Sequence, residues 1–384
     1  MPVNKFHILL LFLLVCASCI VPYEPEINDT QEVMVISGSI TDKPGFHYVT
    51  VSVSAPYNEP EPKPVSGCVV SVEDEGGDLR VYNEQIPGLY EVLLEAEFLG
   101  VGKTYSLSVL TPSGEEYRSD YDTLLACPPV DSIYYEIQSQ GTSDPDITYH
   151  GLQFYNDLVG DTDVARSFRW RLQETWEYTA PYGAGAIFDE DGFREFDGTP
   201  IYRCYMTLRI RDLYTASTRA LAENRINKNA LNYVSNQSPR LFKQYSLLVE
   251  QQSLSNDAFA YWDQMKTSAS EGGGLYETQP SSTIGNIYNI RRPEEKVLGC
   301  FYATQIQEKR ITLKNDFEFE VDRYRCVLDT VYSLDEFGDI YPYYMISIGM
   351  MPPGPPWLYG DQQCFDCRRY GGSTTKPDYW IDED

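Results

Sequence analysis

The chain has 384 residues, 42% of them hydrophobic and 14% aromatic, which is enough for a sizeable apolar core and excludes a disordered acidic chain. Its 57 acidic and 30 basic residues leave a net charge of −27, which argues against nucleic acid and anionic membrane surfaces as direct partners. This length predicts two or three domains.

The N-terminus has the order of a signal peptide. Lys5 supplies a positive charge, and the apolar run 6–15 that follows is too short to span a bilayer. Two small residues then precede Cys19, which is the pattern of a bacterial lipobox, where the peptide is cut before the cysteine and its thiol and amine are acylated. We predict a signal peptide over 1–18 and lipidation of Cys19. Ordinary secretion, with Cys19 in a disulfide, is the alternative.

Residues 19–32 are rich in acidic residues and contain two prolines, which predicts a flexible tether. An acidic cluster soon after the acylated cysteine resembles the surface-export signal of Bacteroidetes-type lipoproteins. We therefore expect a lipid-anchored protein of the outer membrane, at the cell surface in preference to a periplasm-facing position. Contact with the membrane is expected through the lipid alone.

A regular set of strands follows the tether. Short apolar or alternating segments separated by Gly and Pro predict an antiparallel β-sandwich over 33–120. The segments are "VMVISGSI", "YVTVSVS", "CVVSVE", "LYEVLL" and "TYSLSVL". The pattern resembles immunoglobulin-like or transthyretin-like modules, which serve as spacers or docking units.

The stretch 119–133 contains a Pro-Pro pair and no periodicity, so we place the start of a second, larger β-rich domain at about residue 128 and its end at 384. Its strand candidates are "SIYYEIQ", "ITYHGLQFYN", "RSFRWRLQETWEY", "CYMTLRIRD", "RLFKQYSLLVEQQ", "IGNIYNI" and "VLGCFYATQ". The Asn-rich stretch 224–240 is predicted to be a loop or a short irregular excursion. The fold class is therefore mainly β.

One short helix is predicted over 255–270, with Ser255 as its N-cap and the glycines of 271–274 as its end. An apolar stripe at helical spacing is predicted to pack on a sheet rather than bind a ligand. It consists of Ala258, Phe259, Trp262 and Met265.

No catalytic or cofactor motif is present. Beyond the signal segment the histidines are His47 and His150, and there is no nucleophile elbow, phosphate loop, H-E-x-x-H or dinucleotide fingerprint. The acidic stretch 188–198 lacks the spacing of an EF-hand, so we predict a solvated loop and not a metal site. We expect no enzyme activity, no cofactor and no metal.

Seven cysteines follow Cys19, and the pair in "CFDC", Cys364 and Cys367, has three interpretations. A zinc ribbon needs a second such pair, and a thioredoxin-type centre needs a helix start, so structural disulfides are favoured in an exported protein. We predict bridges among Cys204, Cys326, Cys364 and Cys367, with connectivity open. Cys68 and Cys300 lie in apolar strands and are predicted to be buried free thiols.

Four segments occur in the order "WRLQETWEYTAPY", "LSNDAFAYWDQMK", "GNIYNIRRPEEKVLGCFYATQIQEKRI" and "CFDCRRYGGSTTKPDYW". Together they resemble a Bacteroidetes-type outer-membrane lipoprotein family of unknown function, DUF4249. Members of that family are lipid-anchored and often encoded beside TonB-dependent receptors. The resemblance implies location and partner, and it implies no catalytic residue.

Location and family together predict an accessory binding protein of a TonB-dependent outer-membrane receptor, active in nutrient uptake. Because the chain is so acidic, contact is expected through exposed aromatic residues rather than basic patches. A structural or adhesive surface lipoprotein and an unrecognised hydrolase are the alternatives.

Overall fold

A computed structural model describes residues 32–55, 61–141, 144, 148–161, 164–271, 283, 285–338, 342–348 and 356–381. The predicted signal peptide, the lipidation residue Cys19, nearly all of the tether and the glycines after the helix lie outside these residues. The described part is mainly β, as the sequence predicts. Among the described residues, no helix is both long and apolar enough to cross a membrane.

Two sheets build the N-terminal sandwich. The first has the order β21-β1-β2-β7-β6, with β22 also on β1 and β3 on β2. Its strands are β1 (Met34–Thr41), β2 (Gly45–Val53), β3 (Lys63–Pro64), β6 (Asn83–Ile86), β7 (Leu89–Leu94), β21 (Val297–Leu298) and β22 (Phe301–Thr304). The second has the order β20-β9-β8-β4-β5, with β10 on β8. Its strands are β4 (Val69–Asp74), β5 (Leu79–Val81), β8 (Thr104–Leu110), β9 (Glu116–Ser119), β10 (Asp122–Thr123) and β20 (Ile287–Asn289).

The core of the sandwich follows from the alternation of its strands. On β2 the side chains of His47, Val49 and Val51 point inward while their neighbours face outward. Val70 and Val72 on β4 do the same from the opposite sheet. The two inner faces meet in one apolar cluster, which is the arrangement of a β-sandwich.

The sandwich is not built from residues 33–120 alone. β21 and β22 pair in parallel with β1, and β20 pairs with β9, so residues 287–304 return from far along the chain to cover two sheet edges. The strand pairing therefore does not follow the predicted division at 120–128, because residues 287–304 pair with strands that precede it. The local pattern of 287–304 correctly indicates strands but cannot indicate which open edge they complete.

The chain passes directly from the sandwich into the second part, since only one residue separates β22 from β23 (Ile306–Lys314). The Asp42 carboxylate accepts hydrogen bonds from the Ile306 backbone N–H (3.0 Å) and the Gln305 side chain (3.2 Å). At the same junction the Asp122 carboxylate is buried and accepts the Ala303 N–H at 2.7 Å. Burial raises the pKa of Asp122 to about 6.

The second part has three sheets. A three-stranded sheet of order β11-β12-β18 packs against a sheet of order β16-β13-β19-β23, in which β17 also pairs with β13. Their strands are β11 (Ser132–Gly141), β12 (Thr148–Val159), β18 (Arg225–Ser235), β13 (Ser167–Thr179), β16 (Arg203–Arg209), β17 (Tyr214–Ser217) and β19 (Gln244–Ser253). The third sheet, β15-β14-β25-β26-β24, comprises β14 (Ala186–Asp189), β15 (Gly192–Glu195), β24 (Asp329–Val331), β25 (Tyr343–Ser347) and β26 (Trp357–Tyr359).

Two stretches that were predicted to be loops contain β-strands. The Asn-rich stretch 224–240 contains β18, a full strand that pairs with β12 through two register irregularities. Lys228, at a φ of 54°, lies at one of them. The acidic stretch 188–198 forms the hairpin of β14 and β15, in which Arg194 binds the Asp189 carboxylate with two hydrogen bonds of 2.6 Å.

The predicted helix is present as α1 (Asn256–Glu271). The Ser255 hydroxyl accepts the Ala258 N–H at 3.2 Å, so Ser255 acts as the N-cap. Ala258 is buried, and Phe259 and Trp262 pack with it around Cys300 and Tyr302. Three residues of the predicted apolar stripe, Ala258, Phe259 and Trp262, therefore belong to a core cluster, whereas Met265 is not part of that cluster. Short 3-10 helices lie at η1 (Pro239–Leu241), η2 (Leu334–Glu336), η3 (Gln362–Cys364) and η4 (Cys367–Tyr370).

Candidate functional site

The structure joins the four predicted disulfide cysteines as Cys204–Cys367 and Cys326–Cys364, with Cα–Cα distances of 5.6 and 5.8 Å. The two cysteines of "CFDC" therefore bond to different partners and not to each other. The tail segment is therefore attached at two points. Cys367 bonds to Cys204 on β16, and Cys364 bonds to Cys326, which lies shortly before β24 of the third sheet. The arrangement is a structural staple and leaves no C-x-x-C redox pair.

The remaining described cysteines, Cys68, Cys127 and Cys300, are free and buried. Burial raises the pKa of the Cys127 and Cys300 thiols to about 12. A thiol with so high a pKa is a poor nucleophile at neutral pH. The prediction of free thiols at Cys68 and Cys300 is confirmed, and Cys127 joins them.

The acidic residue inside "CFDC" is a buried anchor. Asp366 is 1% exposed, and its carboxylate accepts hydrogen bonds from Arg368 (2.8 and 2.9 Å) and from the Tyr344 hydroxyl (2.8 Å). Burial alone works to raise the pKa of Asp366, but these hydrogen bonds outweigh it and hold the pKa below its ordinary value. The carboxylate thus ties the tail to Tyr344 on β25.

The two histidines have structural surroundings. His47 is 5% exposed and lies between two backbone groups, the Thr41 N–H at 3.4 Å and the Lys43 carbonyl at 3.1 Å. Burial lowers its pKa. His150 lies 2.9 Å from the Ser139 hydroxyl across two strands and stacks on Phe319. Within the described ranges, no group of three or more His, Cys, Asp and Glu side chains could hold a metal ion.

A concave surface surrounds Phe242, the residue that follows η1. Phe242 lines three adjoining depressions of about 260, 310 and 580 Å³. We call this surface the Phe242 groove, and its main lining residues are Tyr178, Pro239, Phe242, Lys243, Lys314, Asn315, Phe317, Phe319, Arg323, Tyr324 and Arg325.

The groove lies between the end of β13, the turn at η1 and the segment that leaves β23. Asn315 holds these elements together, because its backbone N–H donates to the Lys243 carbonyl (2.8 Å) and its side chain donates to the Phe242 carbonyl (2.9 Å). Asn236 fixes the far wall by donating to the Glu320 carbonyl (2.9 Å) and accepting the Asp322 N–H (2.7 Å). The walls are thus held by hydrogen bonds to backbone carbonyls, donated by both side-chain and backbone groups.

Aromatic rings form the floor of the groove. Tyr178 stacks on Tyr370 with ring centroids 4.7 Å apart, and Tyr324 meets Tyr178 edge to face at 6.2 Å. Phe317 and Phe319 stack on each other at 5.2 Å along the other wall. Rings packed in this way form a rigid surface, and they lose little conformational entropy when a ligand binds.

The electrostatics of the groove differ from those of the whole chain. Lys243, Lys314, Arg323 and Arg325 line it, against the carboxylates of Glu177, Glu320 and Asp322. The Glu177 carboxylate is buried and already paired with Arg203 at 3.3 Å. The Arg323 guanidinium lies over the Phe242 ring, 4.4 Å from its centroid. Within the described part of the chain, neither Arg323 nor Arg325 makes an ion pair.

A rigid aromatic floor with cations at its rim can bind an anionic or aromatic group by stacking and charge. The sequence analysis did not identify this groove, since it interpreted "RLFKQ" only as a strand. A usable signal was present in the segment 314–325, "KNDFEFEVDRYR", where aromatic and charged residues alternate.

Comparison with known proteins identifies the family of this chain. A family model described as a domain of unknown function (DUF4249) matches residues 20–310. A comparison with curated proteins found no match. Among solved structures, trypsin-activated alpha-2-macroglobulin from Escherichia coli is 12% identical, with 59% of this chain and 15% of that chain covered and a TM-score of 0.18. The native conformation of Escherichia coli alpha-2-macroglobulin shows 12% identity, 59% and 13% coverage, and a TM-score of 0.18.

The adhesin InvE of Yersinia pseudotuberculosis is 14% identical, with 57% of this chain and 54% of that chain covered and a TM-score of 0.15. The chain thus spans about half of that adhesin and under a sixth of the macroglobulins. TM-scores this low carry no argument about fold or function. The family match, in contrast, covers most of the sequence, as the resemblance of its segments predicts, and the chain belongs to the DUF4249 family, whose function is unknown.

Proposed function

We propose that this protein is a lipid-anchored binding protein of the outer membrane that acts as an accessory partner of a TonB-dependent transporter. The observation that carries the binding role is the Phe242 groove, a preformed concave surface with aromatic rings and cationic side chains in a strongly acidic chain. The lipobox at Cys19 and the acidic tether support the location. Family membership supports the kind of partner through the gene neighbourhoods of DUF4249 members.

The geometry of the tether suits this role. Residues 20–32 separate the acylated cysteine from the first strand, and at about 3.3–3.6 Å per residue they can span at most roughly 43–47 Å. The folded body can therefore lie over a neighbouring barrel while its lipid stays in the bilayer. We expect the groove to contact the barrel or its cargo, with aromatic rings supplying contact area and the cations supplying orientation.

The test is co-purification from outer membrane in mild detergent, followed by identification of the recovered proteins. The informative variant reverses two groove charges, Arg323→Glu with Arg325→Glu. The matched control, Arg211→Glu with Arg219→Glu, makes the same charge change on exposed side chains near the opposite end of β13. A TonB-dependent barrel should accompany the wild-type and control proteins, and its recovery should fall by about tenfold for the groove variant.

Recovery of the lipoprotein alone, together with unchanged growth of a deletion strain on candidate nutrients, would contradict the transporter role. The adhesive surface role would then be favoured. Equal recovery with both charge-reversed variants would remove the groove from the contact but leave the partnership intact. Hydrolysis of a substrate that ceases in Ser139→Ala would favour the hydrolase alternative, because Ser139 is the serine beside His150.

A further inference from the structure

An arginine without a counter-ion lies where α1 meets the sheet beneath it. Arg169, near the start of β13, stacks on the Trp262 ring of α1, with its guanidinium carbon 3.5 Å from the ring centroid. Its Nη1 donates a hydrogen bond to the Tyr302 hydroxyl of β22 at 3.0 Å. The guanidinium therefore contacts both α1 and a strand of the sandwich, at the junction of the two parts of the chain.

The surroundings of Arg169 compensate poorly for the hydration that its charge loses. Burial lowers the pKa of Arg169, and the groups that oppose this effect are the hydroxyls of Tyr302 and Tyr261. Within the described ranges, no Asp or Glu carboxylate forms an ion pair with its guanidinium. Asp263 on α1 instead accepts the Thr215 hydroxyl at 2.8 Å. A buried charge ordinarily has a counter-ion, because its desolvation is costly.

The free part of the guanidinium has the geometry of a carboxylate receptor. Arg169 Nε is buried and has no hydrogen-bond partner, and no described acceptor lies on the adjacent Nη2. These two nitrogens form one edge of the planar group, whereas Nη1, which binds Tyr302, lies on the other side. Two parallel N–H groups on one edge match the two oxygens of a carboxylate. The residue as a whole is half-buried, so this side chain is still open to solvent in part.

Two more buried polar atoms near Arg169 lack partners. Gln252 is the register partner of Arg169 on β19, so the two side chains project from the same face of the sheet. Gln252 is 1% exposed, yet no described group donates to its Oε1, and the buried Trp262 Nε1 finds no acceptor. Buried polar atoms are ordinarily hydrogen-bonded. Because Oε1 needs a donor, the complementary ligand carries a hydroxyl next to its carboxylate.

We propose that Arg169, Gln252 and Trp262 form a second binding site, which takes a small carboxylate with an adjacent hydroxyl, an α-hydroxy acid. The carboxylate pairs with the Nε–Nη2 edge of Arg169, and the hydroxyl donates to Gln252 Oε1. Since α1 covers these groups, the site favours a free small acid over a protein segment. Arg169 lies about 30 Å along β13 from Tyr178 of the Phe242 groove, so the site is separate from the groove and independent of the proposed function.

The test is a titration with glycolate, followed through the indole N–H signals in ¹H–¹⁵N spectra. The chain has five tryptophans, and Trp262→Phe assigns the relevant signal. Glycolate should shift the Trp262 signal saturably and leave the remaining indole signals in place, whereas chloride at the same ionic strength should not shift it. Acetate, which lacks the hydroxyl, should bind about fivefold more weakly, because the hydrogen bond to Gln252 is lost.

Two substitutions of Arg169 and one matched control locate the site. Arg169→Met removes the charge and should abolish the saturable shift, while Arg169→Lys keeps the charge without the planar edge and should bind glycolate about tenfold more weakly. The control is Arg171→Met, at the next position on the same face of β13. The Arg171 guanidinium already lies 3.7 Å from the Glu250 carboxylate, so this variant should retain the wild-type affinity. Unchanged signals of the other tryptophans show that each variant is folded.

A Trp262 shift that chloride reproduces, or that survives in Arg169→Met, would overturn the carboxylate site. Equal affinities for glycolate and acetate would overturn the role of Gln252 and the class of ligand. The absence of a saturable shift with either acid would refute the site altogether. Failure to recover a barrel in the co-purification would leave all of these measurements unaffected.

Discussion

The two disulfides allow a quantitative prediction with an internal control. Cys204–Cys367 closes a loop of 163 residues, and Cys326–Cys364 closes one of 38. Cutting each bridge by paired alanine substitutions removes two sulfur atoms from the interior in both cases. The main physical difference between the two variants is therefore the length of chain whose freedom in the unfolded state the bridge restricts.

The magnitude follows from loop-closure entropy. The chain-entropy relation gives about 5 kcal/mol for the long loop and about 4 kcal/mol for the short one, both upper values. The difference depends only on the ratio of the loop lengths and comes to about 1.3 kcal/mol. We expect Cys204→Ala/Cys367→Ala to be less stable than Cys326→Ala/Cys364→Ala by about that amount. Each should be clearly less stable than the wild type.

The assay is guanidinium unfolding without reductant, followed by tryptophan fluorescence, because Trp170, Trp176, Trp357 and Trp380 all lie in the second part of the chain. Intact-mass analysis after alkylation in denaturant provides the control for connectivity. The wild type should gain labels only at Cys68, Cys127 and Cys300, with the acylated Cys19 blocked. Equal destabilisation by the two variants, or greater loss from the short loop, would refute the entropic reasoning. Labelling of Cys364 or Cys367 would refute the bridges themselves.

Three further outcomes are expected. Burial raises the pKa of Asp122 from its ordinary 3.8 to about 6. Between these pH values the folded state binds more protons than the unfolded state, so the free energy of unfolding falls as pH rises, by at most about 3 kcal/mol. Asp122→Asn should remove that slope and stabilise the protein at neutral pH in denaturant titrations, whereas Asp120→Asn, which replaces an exposed carboxylate, should not. Gly299→Ala should be far more destabilising in thermal melts than Gly102→Ala, which costs about 1–2 kcal/mol. Both glycines have φ above 90°, but a Cβ at Gly299 would lie 1.9 Å from a strand carbonyl. Equal losses of stability in the two variants would contradict this packing. Cys19→Ala should move the protein from the membrane fraction to the soluble fraction, and retention of the variant in membranes at high salt would refute lipidation.

The sequence alone determined the parts of the fold that depend on near neighbours. Alternation along β2 and β4 indicated the sandwich, because inward and outward side chains repeat every two residues whatever the partner strand is. The cap at Ser255 and the stripe that includes Ala258 and Trp262 indicated α1 for the same kind of reason. The apolar strands around Cys68 and Cys300 indicated buried free thiols, and the four cysteines predicted to form bridges do so, whereas the sequence did not assign Cys127.

Only the tertiary structure decided which distant segments meet. Residues 287–304 have the pattern of strands, but their place on the sandwich edges depends on the open edges of β1 and β9, more than 160 residues earlier in the chain. The stretch 224–240 is rich in polar residues, and β18 within it mixes exposed, half-buried and buried positions without a regular alternation. Its pairing with β12 rests on backbone hydrogen bonds that side-chain patterns do not report. The Phe242 groove likewise joins β13, η1 and the segment after β23. Its lining residues come from three stretches, 177–181, 239–244 and 314–325, and only packing brings these stretches to one surface.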